Sequence, residues 1–182
     1  MTTSEPEHRT EPRRAVTRAA RRQAEEYSQG EDRPLGSYAA VIGAYAVVVA
    51  GLAGVVRLTG RKLPRRIAVY DLVLATVATH KVSRRLAKDP VASPLRAPFT
   101  RFAGTTGPAE LKEEVRGTGV RKAVGELITC PFCLSQWVAT AFVFGLVLAP
   151  RVTRLVAATF SVLAGSDLLQ FVYASAEQRA QG

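Results

Sequence analysis

Two cysteines in the segment GELITCPFCLSQW are the residues whose type and spacing point most directly to chemistry. Cys130 and Cys133 are the only cysteines in a sequence of 182 residues, and they stand in a C-P-x-C spacing immediately before a long apolar run. Paired thiols at a helix start are typical of thioredoxin-type redox sites, because exposed amides and the helix dipole favour the thiolate. Two thiolates one turn apart also supply half of a tetrahedral zinc site. The third interpretation is that two small, soft side chains pack at a crowded helix start.

The three interpretations are not equally supported by the sequence. No βαβ pattern surrounds the cysteines and no second cysteine pair is present, which disfavours redox catalysis. A zinc site would need further ligands: His80 is the candidate considered with Cys130 and Cys133, the acids Asp71, Asp89 and Glu126 are alternatives, and a dimer could supply a second pair. We therefore predict no cofactor, keep zinc as the metal to be tested, and favour packing.

Local signals place both cysteines at the beginning of a helix. Thr129 is expected to be the N-cap, with Cys130 and Pro131 in the first turn, where the missing amide hydrogen of proline is harmless. Trp137 follows Cys133 by one turn and is expected to anchor the helix at a membrane interface.

The segments around this motif have the length and composition of membrane helices. We predict transmembrane helices over 35–57, 129–150 and 153–175, because each contains a long apolar run. Residues 67–82 form a fourth apolar segment that contains Asp71 and His80, and we expect it to cross or re-enter the membrane. The predicted fold class is therefore all-α: a small integral membrane bundle of three to four transmembrane helices.

The predicted ends of the chain are polar. Residues 1–34 contain seven arginines and seven acids and almost no aliphatic side chains, which is typical of a disordered charged tail or a loose helix. Residues 176–182 are expected to form a short C-terminal tail.

The segment 83–128 is predicted to be a basic cytoplasmic loop with short helices. Its prolines and glycines divide it into short pieces, and PAELKEEV begins with proline followed by acids, as a helix N-terminus does. An apolar stripe then leads through VRKAVGELI into the cysteines.

The distribution of Lys and Arg predicts the orientation in a bacterial inner membrane. If four helices cross, an internal N-terminus leaves about 18 positive residues inside and about 7 outside, although the basic segment 57–66 is then outside. If three helices cross, the tail is outside and 57–122 is cytoplasmic. Both arrangements place loop 83–128 and the C-P-x-C motif at the cytoplasmic face, where thiols stay reduced.

Polar residues inside apolar segments suggest contacts between helices. Asp71 and Asp167 are each expected to pair with an arginine or to hydrogen-bond a neighbouring helix, rather than to form a proton relay. Small residues at four-residue spacing, such as the row Ala141, Gly145 and Ala149, suit close packing within one chain or between chains. The expected partners are the bilayer and a second copy or another membrane protein. Nucleic acid is not expected, because no aromatic residues interleave with the basic ones.

The motif and the segment before it resemble a bacterial family of small membrane proteins, domain of unknown function 1360. The resemblance covers about residues 67–175 and is carried by TCPFCLSQW and HKVSRRLAKDPVASPLRAPF. It rests on Asp71, His80, Arg84, Asp89, Arg96, Pro98, Phe99, Glu126, Thr129, Cys130, Pro131, Cys133 and Trp137. It implies a membrane bundle and transfers no activity, although some relatives are described as sporulation-associated.

Together these observations favour a structural or interaction protein of the inner membrane over an enzyme. The alternative is a thiol-redox or metal-binding membrane protein that uses Cys130 and Cys133. The other candidate functional residues are Asp71, Arg84, Asp89, Arg96, Glu126 and Trp137. No serine-based, phosphate-cradling or paired-carboxylate catalytic pattern is present in the sequence.

Overall fold

The structure is a computed structural model that describes residues 11–107 and 109–181, and over these residues the chain is mostly helical. Its elements in chain order are α1 (Glu11–Ser28), α2 (Leu35–Leu58), α3 (Val69–Lys88), a short 3₁₀ helix (Pro90–Ala92), α4 (Ser93–Arg96), β1 (Thr100–Gly107), β2 (Glu110–Val115), α5 (Gly119–Thr129), α6 (Pro131–Leu148) and α7 (Pro150–Gln181).

Three helices are long and apolar enough to span a membrane, namely α2, α6 and α7. They correspond to the helices predicted over 35–57, 129–150 and 153–175. The last helix differs most from its predicted bounds, because α7 continues to Gln181 through the residues expected to form a C-terminal tail. Very little of the apolar surface of these helices is buried within the chain, so it is available to lipid or to another protein.

Helix α3 is less apolar and lies against both α6 and α7. Its Ala78 is fully buried and packs with Phe142 of α6 and Ala157 of α7 in the centre of the bundle. The helix runs to Lys88, beyond the predicted end at residue 82. In its last turns, Arg84 and Arg85 pair with Glu110 and Asp89 of the following segment.

Contacts along the helices define two ends of the bundle. Asp71 and Leu74 of α3 contact Arg154 and Ser161 of α7 in the same order, so α3 and α7 run parallel. Tyr38 at the start of α2 bonds Glu126 just before α6, and Tyr45 near the middle of α2 bonds Thr140 near the middle of α6 at 2.8 Å, so α2 and α6 run parallel to each other. Since α6 turns back directly into α7, this pair runs opposite to α3 and α7. We call the end where α2 and α6 begin and α3 ends the cap end. The other end, where α6 turns into α7, is the turn end.

The segment between α3 and α6 forms a folded cap, defined here as residues 89–129. Its centre is an antiparallel hairpin in which Thr100 of β1 is paired with Val115 of β2. This hairpin corrects the all-α prediction and the helix expected at PAELKEEV. In β2, Leu111 and Glu113 are shielded while Lys112 and Glu114 are exposed, which is the two-residue alternation of a strand.

Helix α5 lies close against this hairpin. A Cβ atom on Gly125 would lie 2.6 Å from Val115 Cγ1 and 3.2 Å from the carbonyl oxygen of Phe99, so the backbones approach at a distance that only glycine permits. The cap is therefore a packed unit and not a linker.

At the N-terminus the structure has a helix, α1, where the sequence favours a disordered or loosely helical tail. The side chains of residues 16–28 are mostly exposed, as expected for a segment with so few apolar residues. Residues 1–10, which belong to the predicted tail, lie outside the described residues.

Candidate functional site at the cap end

Cys130 is the residue at which α5 ends and α6 begins. It is the N-cap of α6, and its Sγ accepts a hydrogen bond from the backbone N–H of Cys133 at 3.3 Å. The N-cap expected at Thr129 is wrong by one residue, because Thr129 belongs to α5 and its hydroxyl donates to the carbonyl oxygen of Gly125 at 2.8 Å. Pro131 is in the first turn of α6, as predicted.

Both cysteines are free thiols, with Cys130 half-buried and Cys133 exposed. His80, the histidine considered as a zinc ligand, lies in a groove between α3 and α7. The residues that line this groove include neither cysteine. Within residues 11–107 and 109–181, no three His, Cys, Asp or Glu side chains come together as a metal site would require. The thiol-redox and zinc interpretations therefore stay predictions, and the described residues supply no additional candidate ligand for the two cysteines.

Asp71 and Asp167 both form ion pairs between α3 and α7. The guanidinium of Arg154 donates to both carboxylate oxygens of Asp71, each at 2.8 Å. At the other end of the contact, Lys81 donates to the carboxylate of Asp167. The predicted pairing of Asp71 with an arginine is confirmed, and Asp167 hydrogen-bonds a neighbouring helix, the other predicted arrangement, through Lys81 of α3.

Arg96 joins α3 to the cap through a buried side chain. It donates to the carboxylate of Glu113 in β2, to the carbonyl oxygen of Leu86 at 2.7 Å and to that of Asp89 at 3.0 Å. The side chains of Arg96 and Glu113 are only 1% and 6% exposed. A buried guanidinium with all these partners fixes the position of the hairpin relative to the end of α3.

Asp89 caps the end of α3 and the start of the 3₁₀ helix. Its carboxylate accepts a hydrogen bond of 2.8 Å from the backbone N–H of Val91 and one of 3.0 Å from Arg85. Burial raises the pKa of Asp89, but the Val91 amide and the Arg85 guanidinium outweigh that effect and hold the pKa below its ordinary value.

Arg84 lies on the adjacent face of α3 and reaches the hairpin. Its Nε donates to the carboxylate of Glu110 at 2.6 Å, beside the turn of the hairpin. Two of the predicted functional residues, Arg84 and Asp89, therefore serve the same junction between α3 and the cap.

Glu126 connects the cap to the beginning of α2. It accepts a hydrogen bond of 2.6 Å from the hydroxyl of Tyr38, and Arg33 lies 4.0 Å away. Three further arginines have other partners: Arg84 and Arg96 pair with acids of β2, and Arg121 donates to the carbonyl oxygen of Pro98 at 2.9 Å.

Trp137 makes an aromatic contact between α6 and α2. Its ring centroid lies 5.2 Å from that of Tyr45, and the planes are nearly perpendicular at 73°. This edge-to-face geometry is favourable for aromatic pairs. The predicted role of Trp137 as an interface anchor is not tested by this contact, which shows a packing role within the bundle.

A groove of about 590 Å³ lies between the C-terminal halves of α3 and α7, beside the turn of the hairpin. Basic side chains of α3, including Arg84 and Lys88, line one wall, and α7 contributes Phe171 and Ala174 to the other. The groove combines several cations with an apolar wall.

Sequence reasoning did not single out four of the residues that complete these contacts, Tyr38, Lys81, Glu113 and Arg154. A signal was available for Lys81 and Arg154, since a cation near an acid in an apolar helix is rare without a partner. Glu113 and Tyr38 gave no such signal, because their partners are distant in the sequence and the hairpin was not predicted.

Together the fold and the contacts define a bundle of apolar helices with charged pairs between helices and a folded polar cap. The chain belongs to the family described as "Protein of unknown function (DUF1360)", whose model matches residues 74–173, more than half of the chain. The match runs from α3 through the cap to α7, which confirms the family predicted from the motif and leaves α1 and α2 outside it.

A curated relative is the "Sporulation protein YjcA" of Bacillus subtilis (strain 168). It is 34% identical over 71 residues, which are 37% of this chain and 60% of that protein. The chain thus matches less than two thirds of the length of this relative. No solved structure matches the chain.

Proposed function

We propose that this chain is a multi-pass protein of the bacterial cytoplasmic membrane with a structural or interaction role. Four helices anchor it, and the cap is presented at the cytoplasmic face. Support for anchoring comes from α2, α6 and α7, whose apolar length equals or exceeds the roughly 18 residues a bilayer core requires. The description of the Bacillus subtilis relative as a sporulation protein is compatible with a membrane protein of a bacterial cell.

The fourth crossing is α3, which is sheltered by its neighbours. Its 20 residues rise about 30 Å as an α-helix, which is the thickness of a bilayer core. A charge in that core is costly unless it is paired. Asp71, near its start, and Lys81, just past its middle, each have an α7 partner of opposite charge. Arg84 and Arg85, nearer the cap end, pair with Glu110 and Asp89.

The orientation follows from which segments share an end. Lys122 of the cap donates to the carboxylate of Asp32, just before α2, at 3.2 Å, so the N-terminal segment and the cap lie on one side of the bundle. Seven of the 25 Lys and Arg residues belong to the turn end, and the segments at the cap end carry the other 18. This asymmetry favours a cytoplasmic cap.

The observation that carries the interaction role is that the cap end is packed, is attached to the bundle and exposes large apolar side chains. Phe102 of β1 and Phe132 at the start of α6 are 70% and 88% exposed, while the Arg96–Glu113 pair holds the hairpin in place. Exposed aromatic residues on a fixed surface are typical of contact sites with other proteins. The proposed partner is a second copy of the chain or another membrane protein.

Single-cysteine labelling tests the membrane arrangement. In a variant with Cys130→Ser and Cys133→Ser, Lys62→Cys marks the turn end and Lys112→Cys marks the cap; both lysines are exposed. We expect a membrane-impermeant maleimide to label Lys62→Cys in intact cells and Lys112→Cys only after permeabilisation. Labelling of both sites from the same side would contradict the four-helix arrangement.

Photo-crosslinking in living cells tests the interaction role. A photoreactive phenylalanine analogue at Phe102 should give a protein adduct, either with a second copy or with another membrane protein. The matched control is the same analogue at Val47, which is 72% exposed on α2 and should contact lipid. An absence of protein adducts at Phe102, or the same adducts at both positions, would refute the role of the cap.

A further inference from the structure

The groove between α3 and α7 has the chemistry of a binding site for an anionic amphiphile. Phe171 and Ala174 of α7 supply an apolar wall. The charged lining consists of four cations of α3 and three carboxylates, namely Lys81, Arg84, Arg85 and Lys88 with Asp89, Glu110 and Asp167. Its volume of about 590 Å³ is within the range of about 300–1,000 Å³ that small-molecule sites occupy. We propose that the groove binds the phosphate-bearing headgroup of an anionic phospholipid, an inference that rests on the membrane placement proposed above.

Three of the four cations of the groove are accessible to a phosphate, whereas Lys81 is largely buried and paired with Asp167. Lys88 is half-buried and has no ion-pair partner among the described residues. Arg84 and Arg85 pair with Glu110 and Asp89, yet their side chains stay 51% and 47% exposed. Such solvent-exposed pairs are weak, whereas a phosphate offers a guanidinium two strong acceptors at once. A phosphate can therefore compete for these arginines or share them.

The depth of the groove matches the leaflet at the cap end. Asp167, at the inner limit of the groove, lies 17 residues beyond the start of α7 at Pro150, which is roughly 25 Å along the helix. Ala174, at the outer limit, lies roughly 36 Å along it. Measured along α3, the cations from Lys81 to Lys88 lie roughly 18–28 Å from Val69. Because the hydrocarbon core is about 30 Å thick, the groove extends from the cap-end part of the core to its boundary with the headgroups.

The apolar wall argues for a lipid over a soluble phosphate compound. Phe171 is 59% exposed, and Leu168 and Val172 beside it on α7 are also exposed. An acyl chain can lie along this apolar surface while its headgroup contacts the arginines. Basic pockets between membrane helices on the cytoplasmic side are suited to anionic headgroups for this reason.

Native mass spectrometry of the purified full chain in detergent tests the proposal. Phosphatidylglycerol and phosphatidylcholine with identical acyl chains are titrated, and we expect phosphatidylglycerol to bind roughly tenfold more tightly. Arg84→Gln combined with Lys88→Gln should reduce that affinity by roughly tenfold and leave phosphatidylcholine unchanged. The matched control, Arg61→Gln with Lys62→Gln, removes two exposed cations at the turn end and should have no effect.

A further variant and a soluble ligand distinguish lipid binding from loss of folding and from binding of a soluble phosphate compound. Phe171→Ala should weaken lipid binding without removing a charge. If the Arg84→Gln/Lys88→Gln variant has a lowered unfolding temperature, the affinity of Phe171→Ala for the lipid becomes the test of the groove site. Glycerol 1-phosphate carries the phosphate without acyl chains; if it binds as tightly as the lipid, the ligand is a soluble phosphate compound and the lipid assignment is wrong. Equal loss in the turn-end control, or no preference for phosphatidylglycerol, would also overturn the proposal.

Failure of the lipid site can be distinguished from failure of the proposed membrane arrangement. Binding in detergent measures the groove whatever the orientation of the chain, whereas cysteine labelling in cells measures the orientation alone. Correct labelling without lipid selectivity would refute only the groove site. Incorrect labelling would refute the membrane arrangement, whatever the lipid measurement gives.

Discussion

Arg154 donates two hydrogen bonds of 2.8 Å to the two carboxylate oxygens of Asp71 and so joins the first turns of α7 and α3. The two side chains are unequally placed: that of Asp71 is 7% exposed and that of Arg154 is 49% exposed. The carboxylate depends on its partner more than the guanidinium does, because the carboxylate is nearly buried and about half of the arginine side chain is accessible.

This asymmetry predicts unequal effects of mutation. Arg154→Leu leaves a buried charge unpaired and should lower the free energy of unfolding by about 1–3 kcal/mol, whereas Asp71→Asn leaves a solvated guanidinium and should cost less. Unfolding by sodium dodecyl sulfate in mixed micelles measures both variants. Arg151→Leu, at an exposed arginine of the same turn, is the control. Equal losses for Arg154→Leu and Asp71→Asn would contradict this account.

The Arg96–Glu113 pair should be the main determinant of the cap. Arg96→Met leaves the nearly buried carboxylate of Glu113 without its cation and should destabilise the cap by about 3–5 kcal/mol. Arg96→Lys should rescue little, because one ammonium group cannot reproduce the bonds to Glu113, Leu86 and Asp89. Proteolysis within 89–129 reports the opening of the cap. Arg101→Met, at an exposed position of β1, should remain resistant.

Asp89 predicts a dependence of cap stability on pH. Since its folded pKa lies below the ordinary value of about 3.9, its charge stabilises the fold fully above that value, and the contribution is lost as the pH falls through the folded pKa. Asp89→Asn should therefore be more susceptible to proteolysis or denaturant than the wild type at pH 7. The difference should shrink at about pH 3. Glu114→Gln, at an exposed acid of β2, should show little difference at either pH; a gap for Asp89→Asn that widens in acid would contradict the sign.

The glycines of α6 and α7 should respond oppositely to alanine. A Cβ atom on Gly145 would lie 2.6 Å from Thr153 Oγ1, so Gly145→Ala should force α6 and α7 apart and destabilise the bundle by about 1–3 kcal/mol. Gly165 of α7 has open space around the same position, so Gly165→Ala should be neutral or stabilise by up to about 1 kcal/mol through helix propensity. Thermal unfolding in detergent measures both, and a destabilising Gly165→Ala would indicate a second copy packed there.

The N-cap geometry of Cys130 distinguishes packing from chemistry. Cys130→Ser keeps an acceptor for the Cys133 amide, whereas Cys130→Val removes it and should cost about 1 kcal/mol. If the cysteines bind zinc, the purified wild type should retain the metal, and a chelator should speed thiol labelling in the wild type. Labelling that is insensitive to chelator and reductant, together with a stable Cys130→Ser variant, is the result expected from packing.

The apolar helices and the start of α6 could be predicted because their signals are local. Hydropathy over 35–57, proline at position 131 and the acids inside apolar segments each act within one helix or one turn. The family could also be predicted, since its motif lies in one contiguous stretch that the family match covers.

The hairpin and the ion-pair partners could not be predicted from local signals. The segment PAELKEEV has the composition of a helix start, and it forms a strand because β1 is available to pair with it and Arg96 attracts Glu113 to the buried side. Tyr38 meets Glu126 across 88 residues of sequence. Such contacts depend on how the helices pack, and that information is not contained in any single segment.

The pairing of α3 with α7 also bears on the order in which the protein assembles during synthesis. Asp71 and Lys81 leave the ribosome 83 and 86 residues before Arg154 and Asp167, the residues that neutralise them. Until the final helix has emerged, α3 has two uncompensated charges and no second wall to its groove. The last segment to be translated is therefore the one that completes the environment of a segment made much earlier, and a chain that stops before α7 should be a substrate for membrane quality control.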